Sequence, residues 1–162
     1  MYLLDANVFI TAARQHFSFD LAPGYWTWLV EQHAAGRLAS VAAVRDELLG
    51  GQDALSIWTE SLPSSFWLHE STQTVAAMRS LAAWASATHR FTPAAITEFL
   101  DSADLRLIAE GHAGRHTVVT HEVSSPGSRR RVLIPDACAE LKVPCTNPWQ
   151  LHRALGLRLD RI

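Results

Sequence analysis

Acidic side chains stand at the ends of short apolar runs in this sequence. Asp5 closes the first run of MYLLDANVF, with Asn7 just beyond it; Glu47 lies in SVAAVRDELLG, Asp101 and Asp104 lie in FLDSADLRLIAEGHA, and Thr120 and Glu122 close HTVVTHEV. Taken singly, each has a plain structural role, because aspartate and asparagine cap helices and acids in a first turn complement the helix dipole. Taken together, Asp5, Glu47, Asp104 and Glu122 have another. Like charges at hydrogen-bonding distance repel and do not stay ionised together without a cation. Hard oxygen donors without converging His or Cys favour magnesium or manganese over zinc.

Whether these acids meet depends on the elements that carry them. Tyr2–Leu4 reads as a short buried strand, with a helix from about Val8 to Arg14. FSFDLAPGYW reads as a loop around Pro23-Gly24, and a helix over Tyr25–Ala35 stops at Gly36. Leu38–Val41 is strand-like and runs into a helix over Ala42–Leu49, closed by Gly50-Gly51. A helix over Asp53–Ser61, a strand over Phe66–His69 and a helix over Thr72–His89 follow. Thr92-Pro93 starts the next helix as N-cap and first helical residue. Asp101-Ser102 caps another running to His112, and His116–Thr120 is a β-branched strand. Asp136–Leu141 is helical, Val143–Thr146 is a final short strand, and Asn147-Pro148 opens a last helix.

Strands alternating with helices predict an α/β fold with a parallel sheet covered on both faces. In open sheets of this kind ligands bind beyond the carboxyl ends of the strands, which is where Asp5 and Glu122 fall. Val44, Glu47 and Leu48 share one side of their helix, so Glu47 is expected to adjoin the buried face, with Asp46 a solvated neighbour. Asp101 and Asp104 are expected on one face of a first helical turn.

Composition bounds the rest. With 162 residues, 48% of them hydrophobic and 19% charged, residues 1–162 fit one domain with a sizeable core. A net charge of -2 argues against holding nucleic acid by bulk electrostatics, but not against a nuclease whose acidic site reaches phosphate through metal ions. No basic leader and no long apolar span occur, so a cytoplasmic protein without membrane contact is expected. Cys138 and Cys145 have neither a redox nor a zinc spacing and read as free buried thiols. His112 and His116 have helical ligand spacing, but Gly114 between them argues against a zinc pair. Trp26 and Trp28 read as core residues, and Asp136 as an N-cap or first-turn acid. The run Arg129-Arg130-Arg131 is either a solvated surface or a contact to RNA phosphates.

The spacing of LLDANVF, the glutamate of VRDEL, the SADLRLIAEGHA helix and the strand VVTHE resembles a PIN domain, the VapC-type ribonuclease fold. YLLDANVFI with APGYWTWLVEQHAAGR, and the later RRRVLIPDACAELKV, is similar to a branch of bacterial PIN-like proteins regarded as toxins, which extends the resemblance over nearly the whole chain. It implies a three-layer α/β/α sandwich with a short, mostly parallel central sheet. It also implies a metal-dependent endoribonuclease, the toxin of a type II toxin–antitoxin pair, with RNA as substrate, an antitoxin as partner and homodimers as a common state.

Carried over by position, Asp5, Glu47 and Asp104 match the first three acids of the motif, and Asn7 the polar residue after the first. Thr120 and Glu122 match the threonine and fourth acid, with glutamate where aspartate is usual. The resemblance thus implies magnesium or manganese on Asp5, Asp104 and Glu122, with Asp101 as a further acid able to assist and Glu47 binding metal or orienting water. Asn7, Thr120 and Arg129, Arg130 and Arg131 are left to position substrate or ligands. Two other classes stay open: a catalytically silent PIN-like binding module, and a haloacid-dehalogenase-like phosphatase. The latter needs a second aspartate where this chain has Asn7.

Overall fold

The computed structural model describes residues 1–160; the last positions of the expected domain, Arg161 and Ile162, lie outside the described residues. Its five strands are β1 (Tyr2–Leu4), β2 (Leu38–Val41), β3 (Trp67–Leu68), β4 (Thr117–Val119) and β5 (Cys145–Thr146). They form one parallel sheet in the order β3-β2-β1-β4-β5, with Leu3 opposite Ala39 on one side and Leu4 opposite Val119 on the other. The order reverses at β1, so the crevice typical of such sheets opens between the carboxyl ends of β1 and β4. Every residue of the β2 segment LASV is buried, as expected for a strand covered on both faces.

The helices are α1 (Ala6–Thr11), α2 (Pro23–Ala34), α3 (Ala42–Leu49), α4 (Ala54–Ser61), α5 (Thr72–Ala87), α6 (Pro93–Asp101), α7 (Ala103–Ala113), α8 (Ile134–Glu140) and α9 (Pro148–Ala154). The architecture is α/β, consistent with a three-layer α/β/α sandwich. Local chemistry sets most starts. Thr92 accepts from the Ala95 amide and Asn147 from that of Gln150, and reciprocal capping boxes join Asp53 to Ser56 and Ser71 to Thr74. Trp26 and Trp28 are buried, and Phe19 stacks on Trp26 with centroids 4.0 Å apart.

Four expectations need correction. The first helix starts at Ala6 and continues as a π-helical turn over Ala12–His16, where the Phe17 amide donates to the Ala12 carbonyl at 2.7 Å; a one-residue widening leaves no mark on apolar periodicity. Asp101 and Asp104 do not share a first turn. Ser102 takes an extended conformation (φ −81°, ψ 157°) and caps α7 through the Leu105 amide, so Asp101 ends α6 and Asp104 opens α7. The third strand is only Trp67–Leu68, preceded by a 3-10 turn over Ser64–Phe66. Cys138 is buried, but Cys145 lies on edge strand β5 and is exposed; both are free. Among the described residues no helix is long and apolar enough to cross a membrane.

Candidate functional site

Asp5 follows β1 directly and occupies the N-cap position of α1, yet its side chain makes no capping bond to that helix. Its Oδ2 instead accepts the Thr120 hydroxyl at 2.9 Å, across the junction of β1 and β4. The sheet sets this meeting, since the Asp5 amide donates to the Val119 carbonyl at 3.0 Å. Thr120 Oγ1 accepts from Asn7 Nδ2 at 3.3 Å and from the Glu122 amide at 3.1 Å, while Asn7 Oδ1 accepts from the His121 amide at 3.2 Å. The His121 contact fixes the orientation of the Asn7 amide. One hydroxyl proton and two lone pairs are thereby all committed, and Asp5 is held in one place by residues from two strand ends.

The surrounding charge is acidic. Burial first, then the neighbouring Asp104 and Glu122 carboxylates, push the Asp5 carboxyl well above the usual carboxylate range, against the lowering effect of the Thr120 hydroxyl. Asp104 is pushed up to about 6 by burial and by Glu122, with Glu47 and Glu98 adding and Arg131 opposing. Beside these residues lies a cleft of about 540 Å³ whose wall includes Asp46, Glu47, Glu98, Asp101 and Asp104. Its cations are already engaged: Arg106 pairs with Glu70 at 3.1 Å and Arg131 with Glu122 at 2.6 Å. Glu47 departs from expectation. Its helix neighbours Val44 and Leu48 are buried, but its own side chain is exposed at the cleft, where partial enclosure raises its pKa.

The sequence model of a family described only as a domain of unknown function, DUF4411, matches residues 2–159. The chain belongs to the DUF4411 family. Comparisons with curated proteins and with solved structures gave no match.

Within this DUF4411 chain the expected acids divide into separate groups. Asp5 is buried, whereas the half-buried Asp104 lies in the cleft wall with Glu47, Asp101, Asp46 and Glu98. Asp46 is exposed, as expected of a solvated neighbour, yet lines the cleft, and Glu98 joins it there without any motif around it in the sequence. Both lie on helices that pack against α7, and this packing rather than any local motif builds the cleft. Glu122 is turned aside: besides Arg131, its carboxylate accepts the Ile134 amide at the start of α8 at 2.7 Å. As placed, no three His, Cys, Asp or Glu side chains among the described residues stand together as a ligand set for one metal ion.

The arginine run of this DUF4411 chain belongs to a tethered loop. Arg129 and Arg130 are exposed, and the Arg129 carbonyl accepts the Thr92 amide at 2.9 Å. Asp136 lies in the first turn of α8, as expected, and is buried. Its buried carboxylate accepts the Ser124 hydroxyl at 2.6 Å and the Ser125 amide at 3.2 Å, and pairs with Arg90 at 3.3 Å. His112 Nδ1 donates to the Leu141 carbonyl at 3.2 Å, and His116 Nδ1 faces the amino terminus of Met1 at 3.4 Å, so the two rings are drawn to different partners.

Proposed function

We propose that the chain is a magnesium- or manganese-dependent endoribonuclease, the toxin of a toxin–antitoxin pair. The observation that carries this reading is the proximity of Asp5 and Asp104 beyond the carboxyl end of the central strand, both with raised carboxyl pKa values and neither in an ion pair among the described residues. The donor set fits a hard divalent cation. Magnesium is commonly held by one or two carboxylates, with waters and substrate phosphates completing its shell, so two acids beside an open cleft suffice. Asp5 and Asp104 would hold the ion, which when bound supplies an activated water and neutralises charge on a phosphodiester.

The chain's own groups have distinct tasks in this reading. Thr120 and Asn7 fix the direction of the Asp5 carboxylate. Glu47, at the cleft wall, is placed to accept a proton from water, and its raised pKa brings it nearer the range useful to a base. Asp101 and Glu98 strengthen the negative field that draws a cation into the cleft. Arg129 and Arg130 are exposed and available to phosphate. The RNA substrate, the antitoxin, dimerisation and a cytoplasmic setting rest on the PIN resemblance.

The reading is tested on purified protein with single-stranded RNA and manganese. Cleavage lost on adding EDTA, and lost in Asp5→Asn, is the expected result; cleavage that survives both overturns it. Expression with and without the adjacent gene tests the toxin role, the expected outcome being growth arrest and new RNA ends only without the neighbour. One observation favours a silent binding module instead: Glu122 already satisfies Arg131 and Ile134. A titration in which manganese fails to bind the wild-type protein would favour that second reading.

A further inference from the structure

A cleft of about 730 Å³ lies toward the amino ends of β4 and β5, with His112, Arg115, Lys142, Gln73 and Ser80 among its lining residues and no Asp or Glu in its wall. Neither Arg115 nor Lys142 takes part in an ion pair among the described residues, and both are exposed. They occupy matching places. Val118 pairs with Cys145 across the two strands, and each cation stands three residues before its strand's member of that pair.

Each also ends a helix in the same way. The His116 amide donates to Gly111 O at 2.8 Å and the Val143 amide to Cys138 O at 2.9 Å, closing α7 and α8 with the cation in left-handed backbone at φ 56° (Arg115) and 55° (Lys142). The chain supplies its own control. Helices α2 and α9 close with the equivalent bonds, Arg37 N to Gln32 O at 3.0 Å and Leu157 N to His152 O at 2.8 Å. There the left-handed residue is a glycine, Gly36 or Gly156. Complementing a helix dipole does not require a cation at this position, because α9 carries Arg153 in its last turn and still closes with Gly156. Arg115 and Lys142 thus hold positions that α2 and α9 give to glycine, as His89 does after α5, and both of them line the cleft.

We propose that this cleft binds a phosphate-bearing organic ligand of nucleotide size. Its phosphate lies between Arg115 and Lys142, and its organic part lies against Leu141, Val143 and Pro144. The guanidinium fork and the ammonium suit phosphate oxygens, and the cleft has the volume typical of small-molecule sites. The Nδ1 bond from His112 to Leu141 O orients that ring and leaves Nε2 for the ligand. The site is remote from Asp5 in the sheet and independent of the nuclease reading.

The test uses the double variant Arg115→Gly/Lys142→Gly, since glycine relaxes both left-handed positions and keeps the fold. Binding of adenosine 5′-monophosphate and of adenosine is measured by calorimetry in EDTA, together with the melting temperature. The expected result is monophosphate binding at least about tenfold tighter than adenosine, a loss of about tenfold or more in the double variant, and an unchanged or higher melting temperature for that variant. Inorganic phosphate and a 5′-phosphorylated tetraribonucleotide serve as competitors, their relative strength telling a free small molecule from a strand end. The proposal is overturned if no phosphate-bearing probe binds more tightly than adenosine, or if the double variant binds as the wild type does.

Discussion

Thr120 Oγ1 donates to Asp5 Oδ2 at 2.9 Å, joining residues 115 positions apart. Because the hydroxyl's two lone pairs are taken by Asn7 Nδ2 and the Glu122 amide, its proton has one destination. Asp5 must therefore present a bare oxygen at Oδ2, and a proton taken up by this carboxyl goes to Oδ1.

Removing that hydroxyl without changing the side chain's shape leaves several buried groups without a partner. Thr120→Val is expected to destabilise the protein by about 1–3 kcal/mol, read as a lower urea midpoint. Thr120→Ser should recover most of the loss. A valine variant as stable as wild type would show that the network contributes nothing to folding.

Asp104 sets a pH dependence of stability. Its folded pKa is raised to about 6, whereas an unfolded aspartate titrates near about 3.9. Its stabilising effect is fully present below the unfolded value. As pH rises toward 6 the unfolded chain gives up its proton first, so stability falls. In EDTA the melting temperature should therefore decline between about pH 4 and 6.5, and Asp104→Asn should flatten the decline, gaining on the order of 2 kcal/mol at pH 7. Manganese should reverse the decline in wild type and leave Asp104→Asn unmoved. A wild-type melting temperature that rises through the same window contradicts the assignment.

Glu122 is placed to hold structure. Its side chain is 10% exposed and that of its partner Arg131 58%, so the bond to the Ile134 amide is the better shielded contact. Glu122→Ala should cost about 1–3 kcal/mol by leaving that helix-start amide unpaired, and Arg131→Ala less than about 1 kcal/mol. If RNA is cleaved, Glu122→Ala should retain more activity than Asp5→Asn at a temperature where both are folded. Equal loss in the two would return Glu122 to the metal-binding set.

The arginine run should resist trypsin in spite of its exposure. Arg90 holds this loop through the Ser128 carbonyl at 3.0 Å and the Ser125 carbonyl at 2.9 Å, and Asp136 holds Ser124 and Ser125. Arg90→Ala should speed cleavage after Arg129, Arg130 or Arg131 by about tenfold or more, because local opening then costs less. Mass analysis of limited digests checks this; rapid cutting of the wild type here would show that the tethers do not hold in solution.

Much of the fold was legible because its signals are local. Ala42–Leu49 lies between a short buried strand and a glycine pair, and Thr92 and Asn147 each precede a proline at a helix start, so these boundaries agree with the structure. Asp5 was legible as a strand-end acid for the same reason. The rest depends on contacts between distant segments. The Ser102 break needed its own capping bond to be seen, and the cleft acids Asp46 and Glu98 gain meaning only when α3 and α6 both pack against α7. Nothing near Glu122 in the sequence announces that the Ile134 amide will claim its carboxylate.

The strand order has a consequence in time as well as in space. Asp5 is made well before Asp104, whose carboxylate raises its pKa, and Thr120, whose hydroxyl orients it; both of these follow only after β2 and β3. The acidic centre thus does not exist in any early length of nascent chain. It is assembled when β4 docks beside β1, so a half-made molecule carries the carboxylate without the site.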